Sequence, residues 1–462
     1  MTNSIDLLKS LSESVENCYL NWFLAEIGSC WGNFIADDAG RIENWRVFGV
    51  PPQYKFFNTH VKPILDKNPQ TKIYVIISDA FRYEAVAELE TEIKHTSVKR
   101  KGLDANLTAQ LGVLPSYTTL GMASLLPHET LAYSSDAKDV LVDGVSTSGI
   151  KNRQKILAKF DGTAIHLKEL LEKNTEQGRD FVRPHRIVYI YHDEIDKTGD
   201  KAVSEHQTFD AVREAIDEVK KAVDFIIKSL DGTHILVTAD HGFLFQQTTL
   251  EKFNKTEIIK EPSGTLIPKK RYLIGTNLGS SEQSYSGRMS HTAQTSDKME
   301  FWVPRGANRF HFTGGARFVH GGAMLQEITV PVLYVRVRKG KEAERIKVKP
   351  VDIILLGESN RIVTNIHRFT FLQSEPIAER RPPRTMEISL RDGDQLISDE
   401  VTVIFDSHES DSDKRKKSVR LHLASGSFDR KKEYELLLRD AKTKIEYRRF
   451  PMFIDLALTS DF

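Results

Sequence analysis

The sequence predicts an α/β protein with a mostly parallel sheet flanked by helices, a helical N-terminal segment and a C-terminal antiparallel β-sandwich. Runs of bulky residues without polar alternation, typical of strands covered on both faces, recur at Ile73–Ile77, Ile187–Ile190 and Ile235–Val237. Segments of helical periodicity separate these runs, which is the order expected for parallel strands. After residue 350 the period changes to two, in short segments divided by polar turns.

The elements follow one another in three parts. Residues 1–70 are aromatic-rich, and their apolar residues recur at spacings of three and four, which predicts a helical lead segment. Residues 71–338 alternate strand and helix, with helices expected at 80–94 and near 202–230. The charged stretch 338–350 predicts a linker, and residues 350–462 predict a sandwich of roughly seven strands.

Charge and cysteine content exclude several classes of protein. The 462 residues include 65 Lys and Arg against 64 Asp and Glu, so no global charge steers the chain toward nucleic acid or an anionic membrane. No apolar run reaches the roughly 18 residues that cross a bilayer, and the first residues lack a signal-peptide pattern. Cys18 and Cys30 lie in an apolar helical stretch, where we expect reduced core thiols. These features predict a cytoplasmic protein without a membrane partner.

Carboxylates and imidazoles follow the predicted buried strands. They are Asp79 after the first run, His192, Asp193, Glu194 and Asp196 after the second, and Asp240 and His241 after the third. His320 precedes a further strand in a glycine-rich loop. Parallel strands deliver their carboxyl ends to one edge of a sheet, so these groups can converge, and a pair of divalent cations would remove the repulsion between them. For Asp79 alone, capping of the following helix is an equally simple explanation.

A hydroxyl nucleophile is expected near the same edge. In "LPSYTTLGMASLLP" Thr118 stands at the predicted start of a helix, where metal coordination can deprotonate a hydroxyl and the helix dipole can favour a phosphate. An ordinary helix cap is the alternative. Arg82, shortly after Asp79, could offer its guanidinium to phosphate oxygens, or pair with Glu84 instead.

In this order the motifs resemble the alkaline phosphatase superfamily, which includes nucleotide pyrophosphatases, phosphomutases and sulfatases. The resemblance covers about residues 70–338, and "TADHGF" and "HGGAMLQEITVP" are its most specific pieces. Sulfatases need a Cys or Ser in a Cys/Ser-x-Pro-x-Arg setting, and Thr118 is followed by Thr and Leu, so that subclass is disfavoured.

A narrower resemblance runs through most of the chain. "IYVIISDAFRYEAVAEL", "LGVLPSYTTLGMASLLP", "YHDEID" and "TADHGFLFQ" look like the PglZ family of bacterial BREX phage-defence systems. The resemblance implies other BREX proteins as partners and DNA as a substrate. PglZ proteins are commonly longer at the N-terminus, so this chain would correspond to a shorter member or to part of a longer protein.

The superfamily resemblance also implies two divalent cations, with zinc favoured and manganese or magnesium as alternatives. One cation would be held by Asp79, Thr118, Asp240 and His241, and the other by Asp196, His320 and one further ligand. Where the superfamily often has a histidine this chain has Asp200, which we favour over His192 and His206 as that ligand. An Asp ligand is harder than His and shifts the preference toward manganese or magnesium.

Two functions of different classes follow. The first is a two-metal phosphoesterase, a phosphatase or a phosphodiesterase that includes nucleases, in which Thr118 attacks phosphorus. The second is a scaffold subunit with a vestigial metal site, docking through its aromatic helices and its sandwich. The basic stretches 99–101, 269–271 and 414–417 are read as solvated surface rather than as nucleic-acid contacts.

Overall fold

The structure of the protein is a computed structural model that describes residues 2–36, 40–97, 102–247, 256, 262–310, 317–338, 349–357, 359–378 and 380–456. The chain divides into two compact units, one of residues 1–96 with 103–339 and one of residues 97–102 with 340–462. Most of the predicted linker, residues 339–348, and the basic stretch 99–101 lie outside the described residues. A separate lead segment and catalytic domain within the first unit remain a prediction.

A six-stranded sheet organises the first unit. Its strands are β1 (Ile73–Ser78), β2 (Leu103–Leu111), β3 (Gly162–His166), β4 (Ile187–His192), β5 (His234–Thr238) and β6 (Thr329–Val337). Their order is β2-β6-β5-β1-β4-β3. Strand β1 is parallel to β4 and β5, β3 is parallel to β4, and β6 is antiparallel to β5 and β2. The mostly parallel sheet is therefore confirmed, and the carboxyl ends of β1, β3, β4 and β5 lie along one edge.

The side chains of β1 alternate between two hydrophobic cores. The odd-numbered residues of Ile73–Ile77 pack into the core that contains Phe56 and Leu120, and the even-numbered ones into the core that contains Leu89 and Val219. Strand side chains point alternately to opposite faces, so a strand covered on both faces has no position for a polar residue. The lead segment covers one face, and the helices Tyr83–Ser97 and Thr208–Lys228 cover the other.

The long helix after β4 is shorter than its pattern predicts. It runs from Thr208 to Lys228 rather than over 202–230, and Val203 lies in a preceding turn with 88% of its surface exposed. The hydroxyl of Thr208 donates to the carbonyl of Glu205, and the Glu205 carboxylate is buried against the backbone N–H of Arg317. These contacts hold the preceding turn in place, so the helix begins after it.

The expectation of core thiols is wrong. Cys18 and Cys30 are free and exposed. In their helical stretch the buried positions are Leu24, Gly28 and Ile35, which form one stripe, and the cysteines lie away from that stripe.

The remaining elements of the first unit surround the sheet. Its other helices are Thr2–Asn17, Cys18–Leu24, Ala25–Ala36, Gln53–Lys55, Phe57–Val61, Lys62–Lys67, Thr118–Ser124, Ile150–Ala158, Leu167–Leu171, Thr175–Val182, Glu194–Gly199, Glu205–Gln207, Met289–Thr292 and Leu325–Ile328. Its small sheets are built from Leu131–Tyr133, Val140–Val142 and Val145–Ser146, from Thr265–Pro268, Leu273–Gly275, Ser284–Arg288 and Glu300–Pro304, and from Leu244–Phe245 and Phe318–Val319. Within the described residues, no helix has the length and apolarity to cross a membrane.

The second unit consists of two mostly antiparallel sheets around one core, with Arg361–Ile362 paired in parallel to Glu446–Ile454. The smaller sheet contains Ile353–Leu356, Ile366–Gln373 and Lys416–His422. The larger contains Arg361–Ile362, Arg384–Asp392, Gln395–Leu396, Val401–Phe405, Glu433–Asp440 and Glu446–Ile454, and the short helix Asp413–Arg415 precedes Lys416. Inward residues of both sheets, such as Phe371 and Leu436, share the core, which accounts for the period of two in the sequence.

Candidate metal centre

The acidic residues after three strands meet at the carboxyl edge of the sheet. Asp79 directly follows β1, Asp240 follows β5, and Asp196 lies in the short helix Glu194–Gly199 after β4. The backbone of Asp79 is fixed by its N–H, which donates to the carbonyl of His192 at 2.8 Å. Strands β1, β4 and β5 are neighbours, so residues distant in sequence end close together in space.

Asp79, Asp240 and His241 form the first cluster of ligand-type atoms, all within 4.8 Å of one another. Nε2 of His241 lies 3.5 Å from Oδ1 of Asp79 and 3.4 Å from Oδ2 of Asp240. All three residues are buried. Two carboxylates and an imidazole nitrogen at this spacing match the donors that zinc and manganese take in proteins.

Asp196, His241 and His320 form the second cluster, again within 4.8 Å. Nε2 of His320 lies 3.6 Å from Oδ1 of Asp196, and the rings of His320 and His241 stack with centroids 4.2 Å apart. His241 belongs to both clusters, so the two groups of donors adjoin.

Several donor atoms in these clusters are buried without a hydrogen-bond partner among the described residues: Oδ1 of Asp79, Oδ2 of Asp240, Oδ1 of Asp196 and Nδ1 of His320. An unsatisfied buried acceptor is costly and uncommon in folded proteins. Divalent cations would satisfy these atoms together. The residues present therefore fit a metal centre.

Burial and mutual repulsion raise the pKa values of the acidic residues in the clusters. Burial raises the pKa of Asp79 well above its ordinary value, and the charges of Asp240 and Asp196 raise it further. Burial also raises the pKa of Asp240 to about 7, opposed by a hydrogen bond from the N–H of Ala80. Burial lowers the pKa of His241, and His320 lowers it further. In the absence of a cation the centre thus disfavours its own charges, which is the condition that a bound cation reverses.

Thr118 joins the two clusters. Its Oγ1 lies 3.0 Å from Nε2 of His241. Nδ1 of His241 lies 2.9 Å from the carbonyl oxygen of Gly242, so the proton belongs on Nδ1 and the lone pair of Nε2 faces Thr118 and the clusters. The helix that begins at Thr118 packs closely against the end of β5. A Cβ atom at Gly121 would lie only 2.4 Å from the carbonyl oxygen of Asp240, so this position has room only for glycine.

A family model described as the BREX system PglZ alkaline phosphatase-like domain matches residues 56–335. The chain belongs to the PglZ family. It is 45% identical over 460 residues to the alkaline phosphatase-like protein BrxZ of Escherichia coli O9:H4 (strain HS), covering 99% of this chain and 52% of that protein. It is 35% identical over 463 residues to the alkaline phosphatase-like protein PglZ of Bacillus cereus (strain H3081.97), covering 99% and 53%. The chain spans about half the length of these relatives.

Solved structures resemble the fold more distantly. Murine ectonucleotide pyrophosphatase/phosphodiesterase 5 aligns with a TM-score of 0.40 at 10% identity, covering 59% of this chain and 90% of that one. Phosphonoacetate hydrolase from Sinorhizobium meliloti 1021 aligns with a TM-score of 0.35 at 13% identity, covering 57% and 90%. Similarity at these scores carries no argument about the chemistry of the PglZ-family site.

The three alternatives for the missing ligand of the second cluster lie in different places. Asp200 is exposed and lines the cleft beside Asp196, yet it belongs to neither cluster of the described residues. His192 is buried with both ring nitrogens engaged, Nδ1 at 2.9 Å from the hydroxyl of Ser78 and Nε2 at 3.0 Å from Glu218. His206 is exposed. Of the three, Asp200 is the one that lines the cleft together with Asp196, and its role as a ligand remains a prediction.

Arg82 is not brought to the clusters. Its guanidinium pairs with Glu84 and lies over the ring of Phe243, 5.2 Å from the ring centroid. It lines an apolar groove beside the helix Thr2–Asn17, not the cleft that contains Thr118. The salt bridge that the sequence offered as the alternative is therefore present, and a phosphate-binding role for Arg82 remains a prediction.

A cleft of about 830 Å³ opens onto Thr118, Asp196 and His320. Lys269 and Lys270 line it, so part of the basic stretch read as plain surface faces the centre. Burial lowers the pKa of Lys270, while Asp200 and Glu205 raise it. Residue spacing alone could not predict that these lysines face the cleft. Their position depends on the antiparallel pairing of the strands Thr265–Pro268 and Leu273–Gly275, between which they lie.

Sequence reasoning also missed Gln53. It is fully buried, and its Nε2 donates to the carbonyl oxygen of Asp240 at 2.6 Å while its Oε1 accepts from the N–H of Val113 at 3.1 Å. Gln53 thereby ties the end of β5 to the segment that leads to Thr118. A lone glutamine in a helical lead segment carries no motif, so only the structure assigns it this contact.

Proposed function

We propose that this PglZ-family chain is a metal-dependent phosphoryl-transfer hydrolase, a phosphatase or phosphodiesterase, that acts in BREX phage defence with Thr118 as its nucleophile. The main support is the position of one hydroxyl beside two ligand clusters at the floor of a cleft: Oγ1 of Thr118 is 3.0 Å from the histidine that the clusters share. An acyl transfer site would need no such concentration of buried carboxylates around its nucleophile, because N–H donors stabilise its oxyanion.

The reaction is a double displacement at phosphorus. Oγ1 of Thr118 forms a bond to phosphorus as the bond to the leaving oxygen breaks; the hydroxyl proton passes to solvent, and the leaving oxygen takes up a proton from solvent. The oxygen of a water molecule then forms a bond to phosphorus as the bond between phosphorus and Oγ1 breaks, and a proton from that water restores the Thr118 hydroxyl. Divalent cations, when bound, would lower the pKa of the hydroxyl and neutralise charge on the phosphoryl oxygens. Asp79, Asp240 and His241 would hold one, and Asp196, His320 and one further ligand, for which we favour Asp200, would hold the other.

We favour zinc as the cation, with manganese or magnesium as alternatives. Zinc accepts mixed Asp and His ligands, and Nδ1 of His241 makes the contact with a carbonyl that metal-ligating histidines usually make. The three aspartates of the two clusters would also suit manganese.

DNA is the phosphodiester substrate that we propose, because two lysines line the cleft. Lys269 and Lys270 lie along the cleft that opens on Thr118, where they can contact phosphates on either side of the one that reacts. Other BREX proteins are the proposed partners, and the cytoplasm, where phage DNA enters, is the proposed location.

The test compares the purified chain with two variants. Wild type, Thr118→Ala and Asp240→Ala are assayed on mono- and bis-(p-nitrophenyl) phosphate and on plasmid DNA, with zinc, manganese or magnesium added. Thr91→Ala is the matched control, because Thr91 lies exposed on the helix Tyr83–Ser97 and only its hydroxyl contact with Ala87 is lost. We expect activity in wild type and Thr91→Ala, and a loss of at least about a hundredfold in the other two.

The alternative function, a scaffold subunit with a vestigial metal site, has one observation in its favour. Leu11, Val15 and Trp22 of the leading helices are each about 60% exposed, a surface suited to protein contacts. If wild type and both site variants are equally inert and bind no metal, the scaffold function replaces the enzymatic one.

A further inference from the structure

Arg271 and Glu327 form a fully buried ion pair at the back of the cleft. Oε1 of Glu327 accepts from Nε of Arg271 at 3.1 Å, and Oε2 accepts from Nη2 at 2.5 Å. Nη1 of Arg271 donates to the carbonyl oxygens of Gly306 and Asn308. A buried ion pair is seldom more stable than a hydrophobic pair of equal volume, so stability alone does not account for it.

Glu327 also holds the loop that carries His320. Its Oε1 accepts from the N–H of Gly322 at 2.9 Å, and its Oε2 accepts from the N–H of Met324 at 3.1 Å. With the two contacts from Arg271, each carboxylate oxygen accepts two hydrogen bonds. The carboxylate is thus saturated, and its donors fix the loop and the guanidinium with respect to each other.

The opposite side of the same loop is bonded to the segment of the nucleophile. The hydroxyl of Ser116 donates to the carbonyl oxygen of Gly322 at 2.6 Å, and the N–H of Ser116 donates to that of Gly321 at 3.3 Å. Ser116 lies two residues before Thr118. The loop between His320 and Met324 is therefore held between the ion pair and the nucleophile segment.

The two glycines of the loop allow this close packing. A Cβ atom at Gly322 would lie 2.1 Å from Nη2 of Arg271, and one at Gly321, where φ is +112°, would lie 2.2 Å from the ring of Tyr272. Arg271 and Tyr272 are consecutive and follow Lys270, which lines the cleft. The short turn between the strands Thr265–Pro268 and Leu273–Gly275 therefore supports the His320 loop and presents a lysine to the cleft.

From these contacts we infer that Arg271 and Glu327 are positioning residues that set the place of His320 relative to Asp196 and Thr118, and so the affinity of the second cluster for its cation. The inference rests on the proposed metal-dependent function. Ligands that depend on outer hydrogen bonds lose metal affinity about 10–100-fold when those bonds are removed. The first cluster contains no residue of this loop and should keep its affinity.

The test measures zinc binding rather than turnover. Glu327→Gln replaces one carboxylate oxygen with an NH₂ group, which cannot accept a hydrogen bond. The two N–H groups that donated to that oxygen therefore lose their acceptor. The double variant Arg271→Met with Glu327→Met removes both charges at similar volume, which preserves the fold where the single variant loses stability. Lys72→Met is the control. Lys72 lies just before β1, at the other end of the strand from Asp79, and its ammonium donates to the backbone carbonyls of Val182, Arg183 and His185.

Zinc affinity is measured by competition with a chromophoric chelator, and stability by thermal unfolding with metal removed. We expect both pair variants to bind the second zinc 10–100-fold more weakly and the first zinc within about threefold of wild type. Lys72→Met should lose stability and bind both zinc ions as wild type does. A double variant that is folded and binds the second zinc with wild-type affinity overturns the inference alone. A wild-type chain that binds no divalent cation overturns the proposed function, and the inference with it.

Discussion

Asp240→Asn should make the metal-free protein more stable while weakening its response to zinc. Oδ1 of Asp240 accepts the N–H groups of Ala80 at 3.1 Å and His241 at 2.9 Å, and the amide oxygen of Asn can accept both. Oδ2, which lacks a partner among the described residues and faces the carboxylate of Asp79, becomes an NH₂ group that can donate to it. The change therefore replaces a repulsive contact with a hydrogen bond.

The pKa of Asp240 gives the size of the effect. Burial raises it from the ordinary 3.8 to about 7, so at pH 8 the folded, metal-free protein carries a charge that costs up to about 4 kcal/mol relative to the unfolded chain. A carboxyl with a raised pKa stabilises the folded state below the unfolded pKa, and this contribution is lost as the pH rises through the folded pKa. The advantage of the Asn variant should therefore be absent near pH 4, grow between pH 4 and 7, and stay constant above.

The assay is equilibrium denaturation with a chelator present, at several pH values. The control is Asp224→Asn, which changes the net charge equally on the helix Thr208–Lys228, where Asp224 pairs with Lys228. At pH 8 we expect Asp240→Asn to gain about 2–4 kcal/mol over wild type and the control to change by less than about 0.5 kcal/mol. Added zinc should stabilise wild type more than Asp240→Asn, because the variant alters the first cluster and keeps the second. An Asn variant no more stable than wild type at pH 8 would refute the reasoning.

Three further predictions concern other parts of the first unit. Lys72→Met should lower the free energy of unfolding by about 2 kcal/mol, because the Lys72 ammonium donates to three carbonyls at 2.5–2.8 Å. A loss below about 0.5 kcal/mol in urea titration would show that water replaces these bonds. Gly121→Ala should lower kcat and destabilise the fold by about 1–3 kcal/mol, because the added Cβ would meet the backbone of Asp240. A variant with the kcat of wild type would show that the helix lies farther from β5. Lys269→Gln with Lys270→Gln should weaken DNA cleavage and lower the salt slope of DNA binding by up to about two, while activity on p-nitrophenyl phosphate persists; an unchanged slope would remove these lysines from the DNA path.

The sequence predicts the central sheet where burial is nearly complete. Strands β1 and β4 are fully buried, so their composition is apolar throughout and their ends are marked by the first polar residue. From these ends the convergence of Asp79 and Asp240 follows, because parallel strands share an edge. Strand β2 was not predicted. It lies at the edge of the sheet with exposed positions, so its sequence "LDANLTAQL" gives a weaker signal than a continuous apolar run does.

The contacts that hold the site together could not be read from spacing. Arg271 lies in a basic stretch that indicates solvent, yet it is fully buried, because Glu327, 56 positions away, meets its guanidinium. Arg82 lies three positions after Asp79 and directly before the helix Tyr83–Ser97, yet its guanidinium pairs with Glu84 and lies over the ring of Phe243. Local pattern records burial and period, while long-range pairing of polar side chains depends on tertiary structure.

The most direct test of the metal-centre proposal is anomalous scattering from crystals soaked in zinc or manganese. We predict two peaks roughly 4 Å apart, one among Asp79, Asp240 and His241 and the other beside Asp196 and His320, with Oγ1 of Thr118 beside the first. Crystals that show no peak at these residues, or peaks only outside the cleft, would contradict the proposed centre and the chemistry assigned to Thr118.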